Sequence, residues 1–190
     1  DHPRREEILK VAVRLFSEKG YRGTRLNDVA DTLGITRAAL YYYFKNKEQL
    51  LVEMVREAGN QLTQNLKKIL EEGSDDPVEK LRKVIYSHTI QIIERPELFT
   101  VFRAEFVELP KELRGDVTRD ERAYIQSVTS LLEEAMNEGL FVHRPAMSAA
   151  LAIMSMAHAV ATWYRPSSGL SAHEAATLVS ALCLDGLRAR

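Results

Sequence analysis

The run TRAALYYYF, residues 36–44, places three consecutive tyrosines and a phenylalanine beside an arginine. A helix turns about 100° per residue, so four successive rings cannot all face one hydrophobic core. We expect Leu40 and Phe44, which lie four residues apart, to face inward. We expect the exposed side to carry an arginine guanidinium, a small side chain and two phenol hydroxyls: Arg37, Ala38, Tyr41 and Tyr42.

These side chains are suited to the major groove of duplex DNA. An arginine can bind a guanine edge through two hydrogen bonds, and a small side chain permits close approach. Tyrosine hydroxyls and nearby lysines can bind phosphates, which fixes the register without reading the bases. On spacing alone, an ordinary short helix with a solvated arginine stays an alternative.

Two short helices must position this surface. The pattern predicts a first helix over Leu26–Leu33, with Thr24 as its N-cap and Gly34 at its end. Thr36 is the expected N-cap of a second helix over Arg37–Tyr43, whose free backbone N–H groups would face an anion. Together the two form a helix-turn-helix, with Ile35 filling the angle between them.

The remaining chain also reads as helical, and we find no convincing strand pattern. We predict an all-α fold of about nine helices, with a three-helix DNA-binding domain over 1–48 and a helical effector-binding and dimerisation domain over 49–190. A long helix, about Lys47–Glu72, connects them. Residues 145–164 contain no Asp, Glu, Lys or Arg, which fits either a membrane span or, as we favour, a helix between its own domain and a second subunit.

The charge distribution and the motifs of the sequence limit the classes of function that we expect. Residues 1–50 carry ten Lys or Arg against seven Asp or Glu, a net of +3, whereas the remainder carries sixteen against twenty, a net of −4. The basic N-terminal segment favours an anionic partner at that end of the chain. Cys183 is the only cysteine, and no metal-binding or catalytic histidine spacing occurs, so we expect no metal, no cofactor and no enzymatic activity. We expect a cytoplasmic protein, since residues 1–10 lack a secretory signal.

The run GYRGTRLNDVADTLGITRAALYYYFKNKEQLL, residues 20–51, closely resembles the DNA-binding domain of the TetR family of bacterial repressors. This resemblance implies a homodimer joined through the last two helices, an operator of double-stranded DNA and a small-molecule pocket in each C-terminal domain. It also implies phosphate contacts by Thr24, Tyr42 and Lys47, and base contacts by Arg37, Ala38 and Tyr41. The full predicted DNA-binding set is Thr24, Arg25, Thr36, Arg37, Ala38, Ala39, Tyr41, Tyr42, Lys45 and Lys47.

The effector is less closely defined. Residues 161–187 are similar to the ends of family members that regulate fatty-acid or sterol degradation and respond to CoA thioesters, so an acyl-CoA is one candidate. A free lipid, an aromatic compound, a drug, or no effector at all are the alternatives. Arg103 could meet a ligand's phosphate or carboxylate, or pair with Glu105 or Glu108. The predicted ligand-binding set is Tyr86, Ile90, Phe99, Phe102, Arg103, Phe106, Tyr124 and Trp163.

Overall fold

The computed structural model describes residues 2–72 and 75–188. In these ranges the regular secondary structure is helical, apart from one isolated bridge between Phe141 and Arg188. The predicted all-α fold is confirmed. Two short 3-10 segments, Phe106–Glu108 and Pro166–Ser168, accompany the α-helices. The α-helices within the described ranges are α1 His2–Gly23, α2 Leu26–Leu33, α3 Arg37–Tyr43, α4 Lys47–Glu72, α5 Pro77–Glu94, α6 Pro96–Glu105, α7 Lys111–Asn137, α8 Ala146–Trp163 and α9 Ala172–Asp185.

Side-chain caps fix several of these helix starts. The Thr36 hydroxyl accepts from the backbone N–H of Ala39 at 3.1 Å, as expected for the N-cap of α3. Asp76 caps α5 by accepting from Val78 N at 2.8 Å. Ser171 at the start of α9 accepts from Glu174 N, and the Glu174 carboxylate accepts from Ser171 N at 2.8 Å. The backbone and side-chain hydrogen bonds that Ser171 donates lower the pKa of Glu174.

The predicted bounds of α2, Leu26–Leu33, are confirmed, but the predicted N-cap is wrong by one residue. Arg25 is the N-cap, and its backbone N–H donates to the Asp28 carboxylate at 2.7 Å. The Thr24 hydroxyl instead donates to the carbonyls of Leu15 and Gly20, at 3.1 and 2.9 Å, and the residue is buried. Thr24 therefore anchors the end of α1, where Gly20 breaks the helical backbone with φ 73°, rather than capping α2.

The chain divides into two compact units. The first contains residues up to 60 together with 96–117, and the second contains 61–95 and the residues from 118 onward. The chain thus passes between units at three points, within α4, before α6 and within α7. The division predicted from the sequence, after residue 48, stays a prediction.

In the first unit, α1 to α3 and the first half of α4 share one hydrophobic core with α6 and the start of α7. The 96–117 segment is also joined to the end of α1 by polar contacts. The backbone N–H of Tyr21 donates to Glu105 at 3.1 Å, and the Arg22 guanidinium donates to Glu108 at 2.6 and 3.2 Å. The predicted helix-turn-helix therefore belongs to the same packed body as a segment from the middle of the chain.

In the second unit, α5 packs against α8 and α9, and α7 contributes Val128, Leu132 and Ala135 to the core. Within the described residues, α8 is the helix whose length and composition would let it cross a membrane. One face of α8 is buried in this unit, through Ala150, Ile153, Met154, Ala157 and Val160. About 28% of the helix is buried, which is typical of a helix that packs one face on its own domain and leaves the other exposed.

Candidate nucleic-acid interface

The surface of α3 divides sharply into a buried and an exposed side. Leu40 and Phe44 are completely buried in the core of the first unit, as predicted. Tyr41 and Tyr42 are 49% and 75% exposed, and Tyr43 is half-buried against the core. The Tyr42 and Tyr43 rings meet edge to face, with centroids 5.1 Å apart, which restricts both side chains.

The turn before α3 is set by Gly34. Its φ of 65° is left-handed, a conformation in which a Cβ is strongly disfavoured. The N–H of Gly34 donates to Asp31 O at 3.3 Å, and that of Ile35 donates to Ala30 O at 3.1 Å, so the last carbonyls of α2 are satisfied. Ile35 is half-buried and packs against the core of the first unit, and its predicted place in the angle between the two helices stays a prediction.

Arg5, a residue that we did not predict, anchors the other end of α3. Its guanidinium donates to the carbonyl of Tyr43 at 2.9 Å, forms a two-point ion pair with Glu53 on α4, and lies 4.4 Å from the centroid of the Phe44 ring. One side chain of α1 therefore holds the end of α3 against α4. No local pattern could reveal this contact, because Arg5 and Glu53 lie 48 residues apart.

Lys47 is fixed rather than freely solvated. Its ammonium group donates to the carbonyls of Tyr21 and Thr24, at 2.5 and 3.0 Å, and lies 4.1 Å from the centroid of the Tyr21 ring. A lysine has three N–H donors, so one remains for a phosphate. Lys45, two residues earlier, is exposed.

Most of the predicted DNA-binding set lies on the surface of the first unit. The predicted phosphate contact by Thr24 is wrong. The residue is 1% exposed and its hydroxyl donates to two carbonyls, so it presents no donor to a phosphate. Lys47 is half-buried. The exposed members are Arg25, Thr36, Arg37, Ala38, Ala39, Tyr41, Tyr42 and Lys45.

The predicted ligand-binding residues occupy several different environments. In the first unit, Phe99 is buried, the half-buried Phe102 and Phe106 pack edge to face with centroids 5.9 Å apart, and Arg103 is exposed. Glu105 and Glu108 accept from Tyr21 and Arg22. The second unit holds the half-buried Ile90, Tyr86 stacked on His173, Tyr124 bonded to His88, and Trp163, which is exposed beside Tyr164.

Two open clefts lie on the second unit. One, of about 270 Å³, lies between the last turns of α4 and the middle of α5 and includes Lys68, Lys83 and Tyr86 in its lining. The other, of about 300 Å³, is lined by residues of the α5 start and the α7–α8 connection, including Asp76 and Phe141. Tyr86 is the one residue of the predicted ligand-binding set that lines either of these clefts.

Two family models match the chain. Residues 8–54 match the model for bacterial regulatory proteins of the tetR family, and residues 74–187 match the model for the tetracyclin repressor-like C-terminal domain. The second match alone covers more than half of the 190 residues. The chain belongs to the TetR family. It is a helix-turn-helix transcriptional repressor of the TetR type.

Individual relatives agree with this assignment. The HTH-type transcriptional repressor KstR2 of Mycolicibacterium smegmatis is 27% identical over 188 residues, covering 97% of this chain and 90% of the relative. The TetR family regulator PfmR from Thermus thermophilus is 31% identical, with a TM-score of 0.85 and coverage of 96% and 99%. AibR in complex with isovaleryl coenzyme A and operator DNA is 23% identical, with a TM-score of 0.82 and coverage of 95% and 98%, a likeness of fold alone.

The Arg5 contacts generate the first prediction. Arg5→Lys keeps the positive charge but loses the planar fork and should destabilise this TetR-type chain by about 1–2 kcal/mol in urea unfolding followed by circular dichroism. Affinity for random duplex DNA should also fall, by about 1 kcal/mol or roughly fivefold, because binding must then order the end of α3.

Arg4→Lys is the matched control, since Arg4 forms an exposed pair with Glu7 one turn away. Equal effects of the two substitutions on unfolding would contradict the role assigned to Arg5.

Proposed function

We propose that this TetR-family chain is a ligand-controlled repressor that binds a near-palindromic operator as a homodimer in the cytoplasm. The observation that carries the DNA-binding half is the division of α3, whose Leu40 and Phe44 are fully buried while Arg37, Tyr41 and Tyr42 face outward. Two such helices, held about 34–36 Å apart or a multiple of that, fit successive major grooves on one side of a duplex.

The exposed residues take different parts in this proposal. Arg37, Ala38 and Tyr41 contact base edges, because they lie on the exposed side of α3. Tyr42, on the same helix, and Lys47, at the start of α4, contact phosphates and set the register. Lys47 suits this role because its two carbonyl contacts hold the ammonium group in place.

The dimer forms through α8 and α9. These helices keep large apolar side chains at the surface of the single chain, where a solvated monomer gains nothing from them. Within the second unit the two helices touch each other, and the Cys183 sulfur lies 4.0 Å from the Met156 sulfur. The exposed apolar side chains on α8 and α9 are Met147, Leu151, Met156, Trp163, Leu178 and Leu182.

The effector is a small, largely apolar molecule, and a CoA thioester is our first candidate. Two observations support it: the likeness of residues 161–187 to regulators that respond to CoA thioesters, and the fold shared with AibR, which was crystallised with isovaleryl coenzyme A and operator DNA. Effector binding in the C-terminal domain changes the separation of the two α3 helices, a coupling typically of about 1–3 kcal/mol.

The connections between the two units give this coupling a covalent route. The chain passes between them three times, and two of the crossings lie inside the continuous helices α4 and α7. The 96–117 segment, bounded by two of these crossings, is held to α1 through Glu105 and Glu108. A displacement of this segment therefore reaches the helices that carry the DNA-binding surface.

The different roles of Arg37 and Tyr42 can be tested with a library of randomised duplexes that is sequenced before and after selection for binding. Arg37→Ala should remove the preference for one base in each half-site, at a cost of about 1–3 kcal/mol on the preferred sequence. Tyr42→Phe is the comparison on the same helix and should weaken all duplexes by the same factor, since it removes only a phosphate contact. A uniform loss with Arg37→Ala would overturn the base-reading assignment.

The dimer interface predicts the effect of a charge on α9. Leu182→Glu should convert the protein to a monomer in sedimentation velocity runs and weaken operator binding, because a buried unpaired carboxylate opposes association. Val107→Glu introduces the same charge at an exposed apolar position of the first unit and should leave the dimer intact. If the Leu182→Glu variant remained a dimer, the interface would lie elsewhere.

The effector class can be tested by thermal unfolding with acyl-CoAs, free fatty acids, sterol fragments and aromatic drugs. A ligand that binds only the folded state stabilises it by about 2.7 kcal/mol at one hundred times its Kd. We expect an acyl-CoA to raise Tm and to release the protein from DNA, whereas free CoA, the control, should do neither. If no compound acts and DNA binding persists, the chain is an effector-independent DNA-binding protein.

A further inference from the structure

The second unit contains a buried polar cluster that DNA binding does not use. His88 on α5 lies between Tyr124 on α7 and His158 on α8. Its Nδ1 atom is 3.2 Å from the Tyr124 hydroxyl, and its Nε2 atom is 3.0 Å from Nε2 of His158. His88 is only 4% exposed. One imidazole thus joins three helices of the predicted effector-binding domain.

The groups in contact with His88 are polar. Burial lowers the pKa of His88 well below its ordinary value, and the nearby His158 lowers it further. Burial also raises the pKa of Tyr124, so the phenol keeps its proton. The two Nε2 atoms can share a hydrogen bond only if one carries a hydrogen and the other a lone pair.

A neutral imidazole has one donor and one acceptor, so the cluster has two hydrogen-bonding directions. In the first, Tyr124 donates to His88 Nδ1 and His88 Nε2 donates to His158. In the second, His88 Nδ1 donates to the Tyr124 oxygen, and the hydroxyl hydrogen of Tyr124 is then available to another acceptor. A ligand with an acceptor oxygen selects this second direction.

Gln91 supplies an independent observation. It lies about one turn beyond His88 on α5 and is 9% exposed. Among the described residues, its side-chain Nε2 makes no hydrogen bond. Buried amide groups are almost always paired, because an unpaired donor keeps the full cost of leaving water. A buried amide without a partner in the described chain calls for an acceptor from outside it.

We propose that Gln91, Tyr124 and His88 form the polar end of the effector site and recognise a neutral carbonyl oxygen on an otherwise apolar molecule. This inference rests on the proposed function, since it names the ligand class for the same domain. A carboxylate fits less well, because neutral groups do not compensate for burying a charge. A metal fits less well too, since no described group of three His, Cys, Asp or Glu could hold one.

Aliphatic side chains lie one turn from His88 and Tyr124 on the same helices. On α5, Ile85 and Ile92 flank His88 by one turn on either side, and both are buried. On α7, Val128 follows Tyr124 by one turn and is completely buried. The polar end is therefore set among aliphatic side chains, which favour an acyl chain or a ring system.

Two matched pairs of probes test the proposal by isothermal titration calorimetry. S-octanoyl-N-acetylcysteamine is compared with its S-octyl thioether, and 2-decalone with decalin, so that each pair differs at one carbonyl group. The wild-type protein should bind the carbonyl member of at least one pair about tenfold or more tightly. Tyr124→Phe should weaken that member by roughly fivefold and leave the carbonyl-free partner unchanged.

Gln91→Leu separates a binding role from a structural one. It should abolish most of the carbonyl preference and at the same time raise Tm, because it replaces an unpaired buried donor with an apolar side chain of similar size. A residue needed only for folding would lower Tm instead. Gln126→Leu makes the same change at an exposed position of α7 and should alter neither the carbonyl preference nor the affinity.

The outcomes distinguish this inference from the proposed function. The carbonyl site is refuted if neither carbonyl probe binds the wild type, or if Gln91→Leu keeps the preference. Binding to the selected duplex is measured in parallel on every variant. If the wild type does not bind DNA but binds a carbonyl probe more tightly than its carbonyl-free partner, the repressor proposal is refuted and the carbonyl site is supported.

Discussion

The orientation of α3, and with it the DNA-binding surface, depends on the burial of two side chains four residues apart. Leu40 and Phe44 are completely enclosed by the first unit, and each large apolar side chain so buried contributes about 1.5–3 kcal/mol. A rotation of α3 that hid the tyrosines would expose both of them. Because side chains on a helix are spaced about 100° apart, burying Leu40 and Phe44 turns Tyr41 and Tyr42 away from the core. Arg37, in the first turn of α3, is exposed as well.

A seven-residue helix is too short to be stable alone, so its position is maintained from outside. Thr36 satisfies an N–H at its start, Gly34 gives the turn its left-handed backbone, and Arg5 binds the carbonyl at its end. Arg5 contacts α4 through Glu53, the same helix that continues into the second unit. The end of α3 is thus tied to a helix shared by both units.

The second unit combines two surfaces with opposite requirements. The outer faces of α8 and α9 carry exposed apolar side chains, whereas α5 carries Gln91, a buried amide whose Nε2 makes no hydrogen bond among the described residues. Both features cost stability in an isolated chain. Under the proposed function, a dimer partner offsets the first cost and a ligand acceptor offsets the second. That proposal links stability, assembly and ligand response through α5, α8 and α9.

The sequence alone determined the helical class, the helix-turn-helix and the inward direction of Leu40 and Phe44, because these depend on local periodicity and on turn and cap residues. It misplaced the α2 cap at Thr24, because threonine is a preferred N-cap and arginine is not, and only the packed structure shows that the Thr24 hydroxyl donates to carbonyls of α1. The Arg5–Glu53 pair and the cluster joining His88, Tyr124 and His158 were decided by tertiary structure. Their members lie 36 to 70 residues apart, and no local spacing encodes contacts between separate helices.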